Sequence, residues 1–247
     1  MTPVGDLIGI DDITAAADRI SGHVLRTPTV PSPGLTAHFG VPVTCKLELL
    51  QRSVSFKPRG AFLKLLGLSP AERAAGVVAV SGGNHGLALA DVAGSLGVAA
   101  TVVMPESAPR RSIETARTSG ADVRLTPDMA SAFALLDELV AAGLTLVHPF
   151  DDRAVLAAQG TVGLELATDA PDVTDVLVSV GGGALIAGVA AVRIEYDELP
   201  GVFTIEESEQ AVANNDVERI VWEGSEYGGE GCENASRHHL VRLPRRD

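Results

Sequence analysis

From Val77 to Val192 the chain keeps returning to one pattern: a short apolar run, a turn and an amphipathic helix. That alternation restricts the fold more than any other feature. The runs are VVAV at 77, AATVVM at 99, ADVRL at 121, LTLVH at 144 and DVLVSV at 175, and the helical stretches between them include NHGLALADVAGSLG, SAFALLDELVAAG and DRAVLAAQGTVGLELATD. Strands joined by crossovers of helix length run parallel. A doubly wound α/β sheet is therefore predicted, with ligands outside the carboxyl ends of the strands, where loops lead into helix N-termini.

Ahead of this block, Asp11 and Asp12 introduce ITAAADRI, whose Ile13, Ala16, Ala17 and Ile20 share one helical face. A capped first helix follows from that. After a loop containing Pro28, Pro31 and Pro33, the stretch VTCKLELL alternates, with Val43, Cys45, Leu47 and Leu49 on one side of a predicted strand. Lys46 then points the other way.

With 247 residues, 46% of them hydrophobic, the chain can bury a sizeable core or two modest ones. No internal repeat is evident. Cys45 and Cys232 lie far apart and form no CxxC pair, so neither a disulfide framework nor a zinc knuckle is expected, and a reducing cytoplasm is the expected compartment. The opening MTPVGDLIGIDD has no basic start before an apolar run, and no segment reaches about 18 uninterrupted apolar residues, so secretion and membrane spanning are not expected. A formal charge of −13 argues against a nucleic-acid partner. Of this charge, −8 falls after residue 193, where the composition shifts.

Two of the strand-to-helix loops are unusual. In the loop of residues 181 to 188, GGGALIAG, Gly181, Gly182 and Gly183 allow a tight turn that aims several amides at one spot, at the positive end of the next helix. This is a candidate phosphate cradle, although close helix packing would also account for it. It is neither GxGxxG nor GxxxxGK[ST], and only Glu195 and Asp197 stand near as ribose-binding acids, which counts against a nucleotide module. In SGGNHG, residues 81 to 86, a hydroxyl, exposed amides, an amide side chain and an imidazole gather at a helix start, an arrangement suited to a carboxylate. Ser81 and Asn84 are also ordinary helix caps, and His85, taken alone, reads more readily as a partly buried residue with a hydrogen-bond partner.

The chain has only three lysines, Lys46, Lys57 and Lys64, all within nineteen residues. Lys57, in SFKPRGAFLKL, lies at a strand-to-helix junction with Pro58 at a first helical position. A lysine there is either a solvated helix-start residue or a nucleophilic amine able to condense with an aldehyde. Lysine, carboxylate loop and phosphate loop together are what pyridoxal phosphate acting on an amino acid requires.

KLELLQRSVSFKPRGAF, SGGNHGLALA, HPFDDRAVLAAQGTVGLE and VSVGGGALIAGVAA, in this order and spacing, resemble the pyridoxal-phosphate enzymes of the threonine/serine dehydratase and serine racemase family, fold type II, over about residues 10 to 193. The resemblance implies two doubly wound parallel-sheet α/β domains of the tryptophan-synthase-beta-like type. The larger, cofactor-binding domain would comprise 1–64 and 151–223, and the smaller 65–150. Lys57 then looks like the catalytic Schiff-base lysine. By the same resemblance, Asn84 would hold the cofactor's phenolic oxygen, Gly181, Gly182, Gly183 and Ala184 its phosphate, and Phe56 would lie beside its ring. Ser81, Gly82, Gly83 and His85 would line the substrate carboxylate. The implied reaction is α,β-elimination from a hydroxy amino acid, giving a 2-oxo acid and ammonia. Racemases of the group carry a serine where Gly82 stands here, so dehydration is expected over racemisation.

The chain departs from the family pattern in particular places. Pro58 replaces an aliphatic residue, and Ala184 a fourth glycine, which requires ordinary backbone there. Val54 stands where relatives commonly have glycine; if φ is positive there, a β-branched residue is strained by roughly 1 to 3 kcal/mol. After about residue 193 the chain resembles a shortened relative with an incomplete C-terminal part: LPGVFTIEESEQAVANNDVERIVWE is similar to a later piece of the cofactor domain brought forward. Residues 224–247 are expected to be a disordered tail. Ser225, Ser236 and Cys232 match no motif for a pyridine-nitrogen partner, and Cys232 with His238 and His239 makes no metal site. A shortened, catalytically inactive relative, acting at most as a cofactor-binding or interaction protein, is the alternative reading. The sequence leaves homo-oligomerisation open.

Overall fold

The structure is a computed structural model, and it describes residues 8–195, 201–203 and 220–222. Its strands form two sheets. The four-stranded sheet contains β3 (Val77–Val80), β4 (Ala100–Pro105), β5 (Asp122–Thr126) and β6 (Thr145–Leu146) in the order β5-β4-β3-β6, all parallel. The five-stranded sheet contains β1 (Thr29–Pro31), β2 (Val43–Lys46), β7 (Asp175–Leu177), β8 (Gly201–Phe203) and β9 (Ile220–Trp222) in the order β1-β2-β9-β7-β8. Only β1 is antiparallel, and it is an edge, where the missing amide of Pro31 breaks no interior ladder.

The helices are α1 (Ile10–Ile20), α2 (Pro33–Phe39), α3 (Lys57–Leu66), α4 (Pro70–Ala75), α5 (Asn84–Leu96), α6 (Arg110–Thr118), α7 (Met129–Ala141), α8 (Arg153–Asp169) and α9 (Ala184–Glu195). β3 is buried at every position, as a parallel strand covered on both faces must be. Each of its valines contributes about 1.5–3 kcal/mol by leaving water. Ile13, Ala16 and Ile20 of α1 are buried as their spacing predicts, but the helix begins earlier than expected. Asp11 and Asp12 stand inside its first turn, and Asp12 Oδ2 accepts the Gly9 amide at 2.9 Å.

α8 is the central helix. Asp152 caps it, its Oδ1 accepting the amides of Ala154 at 2.9 Å and Val155 at 3.2 Å. Its glycines let α9 come close: a Cβ on Gly188 would lie 2.7 Å from Gly160 Cα. Larger residues there would push the two helices apart.

VTCKLELL is shorter as a strand than its alternation predicts. β2 stops at Lys46, and Glu48–Leu50 and Arg52–Val54 are 3-10 turns instead. The cause is polar: Lys46 and Glu48 are each 1% exposed and turn inward to charged partners, leaving Leu49 and Leu50 at the surface. LTLVH likewise pairs only over Thr145–Leu146.

The backbone at the second turn is strained. Ser53 and Val54 have φ of 53° and 54°, the left-handed region that β-branched side chains avoid. Val54 is exposed, so its side chain contributes little burial to offset that cost. Val54→Gly is expected to raise stability by about 1 kcal/mol, read as a higher urea midpoint at unchanged m. An unchanged or lower midpoint would show that the turn carries no recoverable strain.

Candidate active site

The order of the four-stranded sheet fixes where a crevice opens. From β3 the chain moves to β4 and β5 on one side, and β6 lies on the other, so the direction reverses between β3 and β6. Ligand crevices form at the carboxyl ends of such a pair. The loops that leave these ends are residues 81–83, which enter α5, and residues 147–152, which enter α8.

Lys57 is the first residue of α3. Its Nζ donates to Pro149 O at 3.2 Å and stands 4.9 Å from the centroid of the Phe56 ring. His85 is buried in the first turn of α5, with Nε2 2.8 Å from Val147 O. A carbonyl partner requires the proton on Nε2. The ring is thus turned toward residue 147, and what His85 can present to the loop is its backbone amide. Ser81 Oγ accepts the Gly83 amide at 3.2 Å, and Asn84 opens α5.

The glycine loop follows β7 and leads into α9, whose first amides lack carbonyl partners within the helix. Gly183 has φ +86°, which only glycine adopts without strain, and the space where side chains on Gly181 and Gly183 would project is open. Gly182 is different: the Phe150 ring occupies the place of its absent Cβ. Ala184 is buried and has no positive φ, so alanine is tolerated there.

One segment joins all three features. Val147 accepts from His85, Pro149 accepts from Lys57, and Phe150 lies against Gly182. His148 holds the segment's bend, its Nδ1 accepting the amides of Phe150 at 3.4 Å and Asp151 at 2.7 Å. The role of this segment could not be read from the sequence, because two of its contacts are made by backbone carbonyls.

Burial pushes the His85 pKa down to about 4; the Val147 hydrogen bond works against this, and the nearby charges of Lys57 and His148 add to it. The ordinary value is 6.5. Between these values the unfolded chain binds a proton that the folded chain refuses, so stability is complete above pH about 6.5 and falls as the pH drops toward 4. The expected loss is about 3 kcal/mol. Urea unfolding across that range should show the slope in the wild-type protein and a flatter one in His85→Gln.

Behind the lysine lies a buried charge network, legible in part as Thr161, Glu165 and Asp169 recurring every fourth residue along a largely apolar helix. Arg59 Nε and Nη2 donate to Glu48 at 2.9 and 2.7 Å, and its Nη1 and Nη2 to Glu165 at 2.7 and 3.0 Å. Lys46 Nζ lies 2.7 Å from Glu165 and 3.3 Å from Asp169. Burial works against the charge on Arg59, but the bonds from Glu48 and Glu165 outweigh it and hold its pKa above the ordinary value. Among the described residues, no cluster of histidine, cysteine or acidic side chains could hold a metal ion. Ser225, Cys232, Ser236, His238, His239 and the expected 224–247 tail lie outside the described residues.

The fold is thus an α/β protein in which a lysine amine, the start of α5 and a glycine loop meet one segment at the reversing strand ends. The family description "Pyridoxal-phosphate dependent enzyme" matches residues 20–238, and the chain belongs to that family. It is 44% identical over 182 residues to an L-threonine ammonia-lyase of Geobacter sulfurreducens, covering 72% of this chain and 45% of that protein. Among solved structures, serine racemase from Dictyostelium discoideum matches with a TM-score of 0.74 at 31% identity, covering 80% of this chain and 65% of that one. The processed form of threonine deaminase isoform 2 from Solanum lycopersicum matches with a TM-score of 0.72 at 33% identity, covering 79% of this chain and 57% of that one. The chain spans about half the length of the curated relatives it matches. No described helix is long and apolar enough to cross a membrane.

Proposed function

We propose that the protein is a pyridoxal-phosphate-dependent threonine/serine ammonia-lyase with Lys57 as cofactor anchor and base. The observation that carries this reading is the 147–150 segment, which gathers the lysine amine, the start of α5 and the glycine loop. The residues fit the cofactor. The glycine loop at the start of α9, with open space at Gly181 and Gly183, suits a dianionic phosphate, and the aromatic ring of Phe56 lies beside the amine.

When bound, pyridoxal phosphate supplies an aldehyde that condenses with amines and a ring system that accepts electrons from the substrate's α-carbon. Gly181, Gly182, Gly183 and Ala184 would hold the phosphate, Asn84 the phenolic oxygen, and Phe56 would flank the ring. The loop of Ser81, Gly82, Gly83 and His85 would hold the substrate carboxylate through its amides and the Ser81 hydroxyl. Once the substrate's amine has taken its place at the aldehyde, Lys57 would take the α-proton and return it to the β-hydroxyl, which leaves as water; a second water would then release the 2-oxo acid and ammonia. In this reading 65–150 is the smaller domain, 1–64 with 151–223 the larger, and the site lies between them.

Racemases among the structural neighbours make racemisation the rival reaction. One contact favours elimination: a Cβ at Gly82 would lie 2.9 Å from Ala108 Cβ, so the serine expected of a racemase has no room without a shift.

The test is to incubate the purified protein with pyridoxal phosphate, reduce it with borohydride and map the adduct by mass. A phosphopyridoxyl group on Lys57 is expected, with Lys46 and Lys64 unmodified. No adduct, or equal labelling of the three, would overturn the assignment. An adduct on Lys57 without 2-oxo acid formation from threonine or serine would favour the inactive, cofactor-binding relative.

A further inference from the structure

Two positions beyond Lys57 the same helical turn carries a buried charge. Arg59 is 0% exposed, and its guanidinium is gripped on two sides, by Glu48 and Glu165, each through two bonds. It also donates to Thr161 Oγ1 at 3.0 Å and to Leu25 O at 3.4 Å. All three guanidinium nitrogens are engaged. Only the planar fork of arginine can satisfy two carboxylates in this way, since a lysine ammonium offers a single point of charge.

These bonds close the chain on itself. Glu48 begins the first 3-10 turn and Arg59 stands in the first turn of α3, so their pair is the neck of a loop that contains the strained turn at Ser53 and Val54 and carries Lys57 near its end. Thr161 and Glu165 tie the same neck to α8, and Leu25 O also accepts from Gln51 Nε2 at 2.7 Å, inside the loop. A buried ion network of this kind adds little stability over well-packed apolar residues, because desolvation offsets the attraction. What it supplies is a fixed geometry.

We propose that Arg59 is the positioning residue for Lys57: clamped between Glu48 and Glu165, it fixes the first turn of α3 and so sets the place and environment of the amine. This rests on the assignment of Lys57 above. Arg59 touches neither substrate nor cofactor in this role.

The scarcity of lysine provides the test. Competitive labelling with acetic anhydride across a pH series, read by mass, compares Lys57 with Lys64 in the same molecule. In Arg59→Lys, and in Arg59→Met paired with Glu48→Leu, the Lys57 to Lys64 labelling ratio is expected to change by roughly tenfold, and the pH midpoint of Lys57 labelling to move with it. The paired variant matters because it removes the unmatched charge and is expected to regain stability without regaining the Lys57 profile. A stability loss with ratio and midpoint unchanged would overturn the proposal, as would a rise of Lys46 labelling to match Lys57, which would mean general opening. Should the Arg59 variants not fold, Thr161→Val removes one bond to Arg59, and a Lys57 profile identical to wild type would likewise overturn it. Borohydride trapping of the wild-type protein separates the two assignments: no Lys57 adduct refutes the cofactor reading, whereas the acetylation profiles still judge Arg59.

Discussion

Lys57→Ala is expected to lower 2-oxo acid formation from threonine by on the order of 10³-fold or more, because one side chain is asked both to anchor the cofactor and to move the α-proton. The fold should survive. Lys57 is only half-buried, and the bond to Pro149 O that it loses leaves a carbonyl beside a partly exposed loop. Thermal unfolding of the variant, with and without pyridoxal phosphate, separates the effects: the wild-type protein should gain stability from the cofactor, and the variant should gain less. Retention of more than about a tenth of wild-type turnover would place the base elsewhere and sink the assignment.

The second large effect is on folding. Glu48→Leu is expected to destabilise the protein by about 3–5 kcal/mol, the cost of leaving a buried charge without its partner. Glu48 accepts two bonds from Arg59 and one from Thr27 Oγ1 at 2.5 Å, and it is almost completely buried. Adding Arg59→Met to this variant should restore most of the loss, while Lys46 and Glu165 remain paired with each other. Denaturant titrations of the wild type, both single variants and the double variant close the cycle. A single variant within about 1 kcal/mol of wild type would show that water reaches the network.

Periodicity makes much of the fold readable. VVAV, AATVVM and the helix of NHGLALADVAGSL all form where their patterns place them, because apolar residues in a parallel sheet and its crossover helices have one way to be buried together. Arg110–Thr118 is harder to read: RRSIETART is too polar for its two buried residues, Ile113 and Ala116, to stand out. Short edge elements such as β1 leave little pattern over three residues. Val54 shows a different kind of legibility: the family resemblance places a common glycine at its position and so raises the question of positive φ, which only the backbone, at φ 54°, answers.

The candidate site divides in the same way. Lys57 and the two glycine-bearing loops are visible in the sequence because chemistry and turn geometry require particular residue types. The Val147–Phe150 segment leaves no such mark, since its hydrogen bonds to Lys57 and His85 use carbonyls that every residue carries. Arg59 is visible only as part of a motif. Its importance comes from Glu165, 106 positions away, which only the folded chain brings near.

The position of β9 has a consequence for synthesis. It lies between β2 and β7 although it is the last described strand, so one sheet can be assembled from residues 77–146 while the other waits on residues 220–222. A nascent chain emerging from the ribosome can complete the first of these early, as a unit of neighbouring strands. Until Ile220–Trp222 appear, Val43–Lys46 and Asp175–Leu177 flank an open slot with unpaired ladder groups, the kind of edge that chaperones shield and that misassembly exploits. The order of translation is thereby built into the order of strands, with the sheet that holds Val43–Lys46 the last to close.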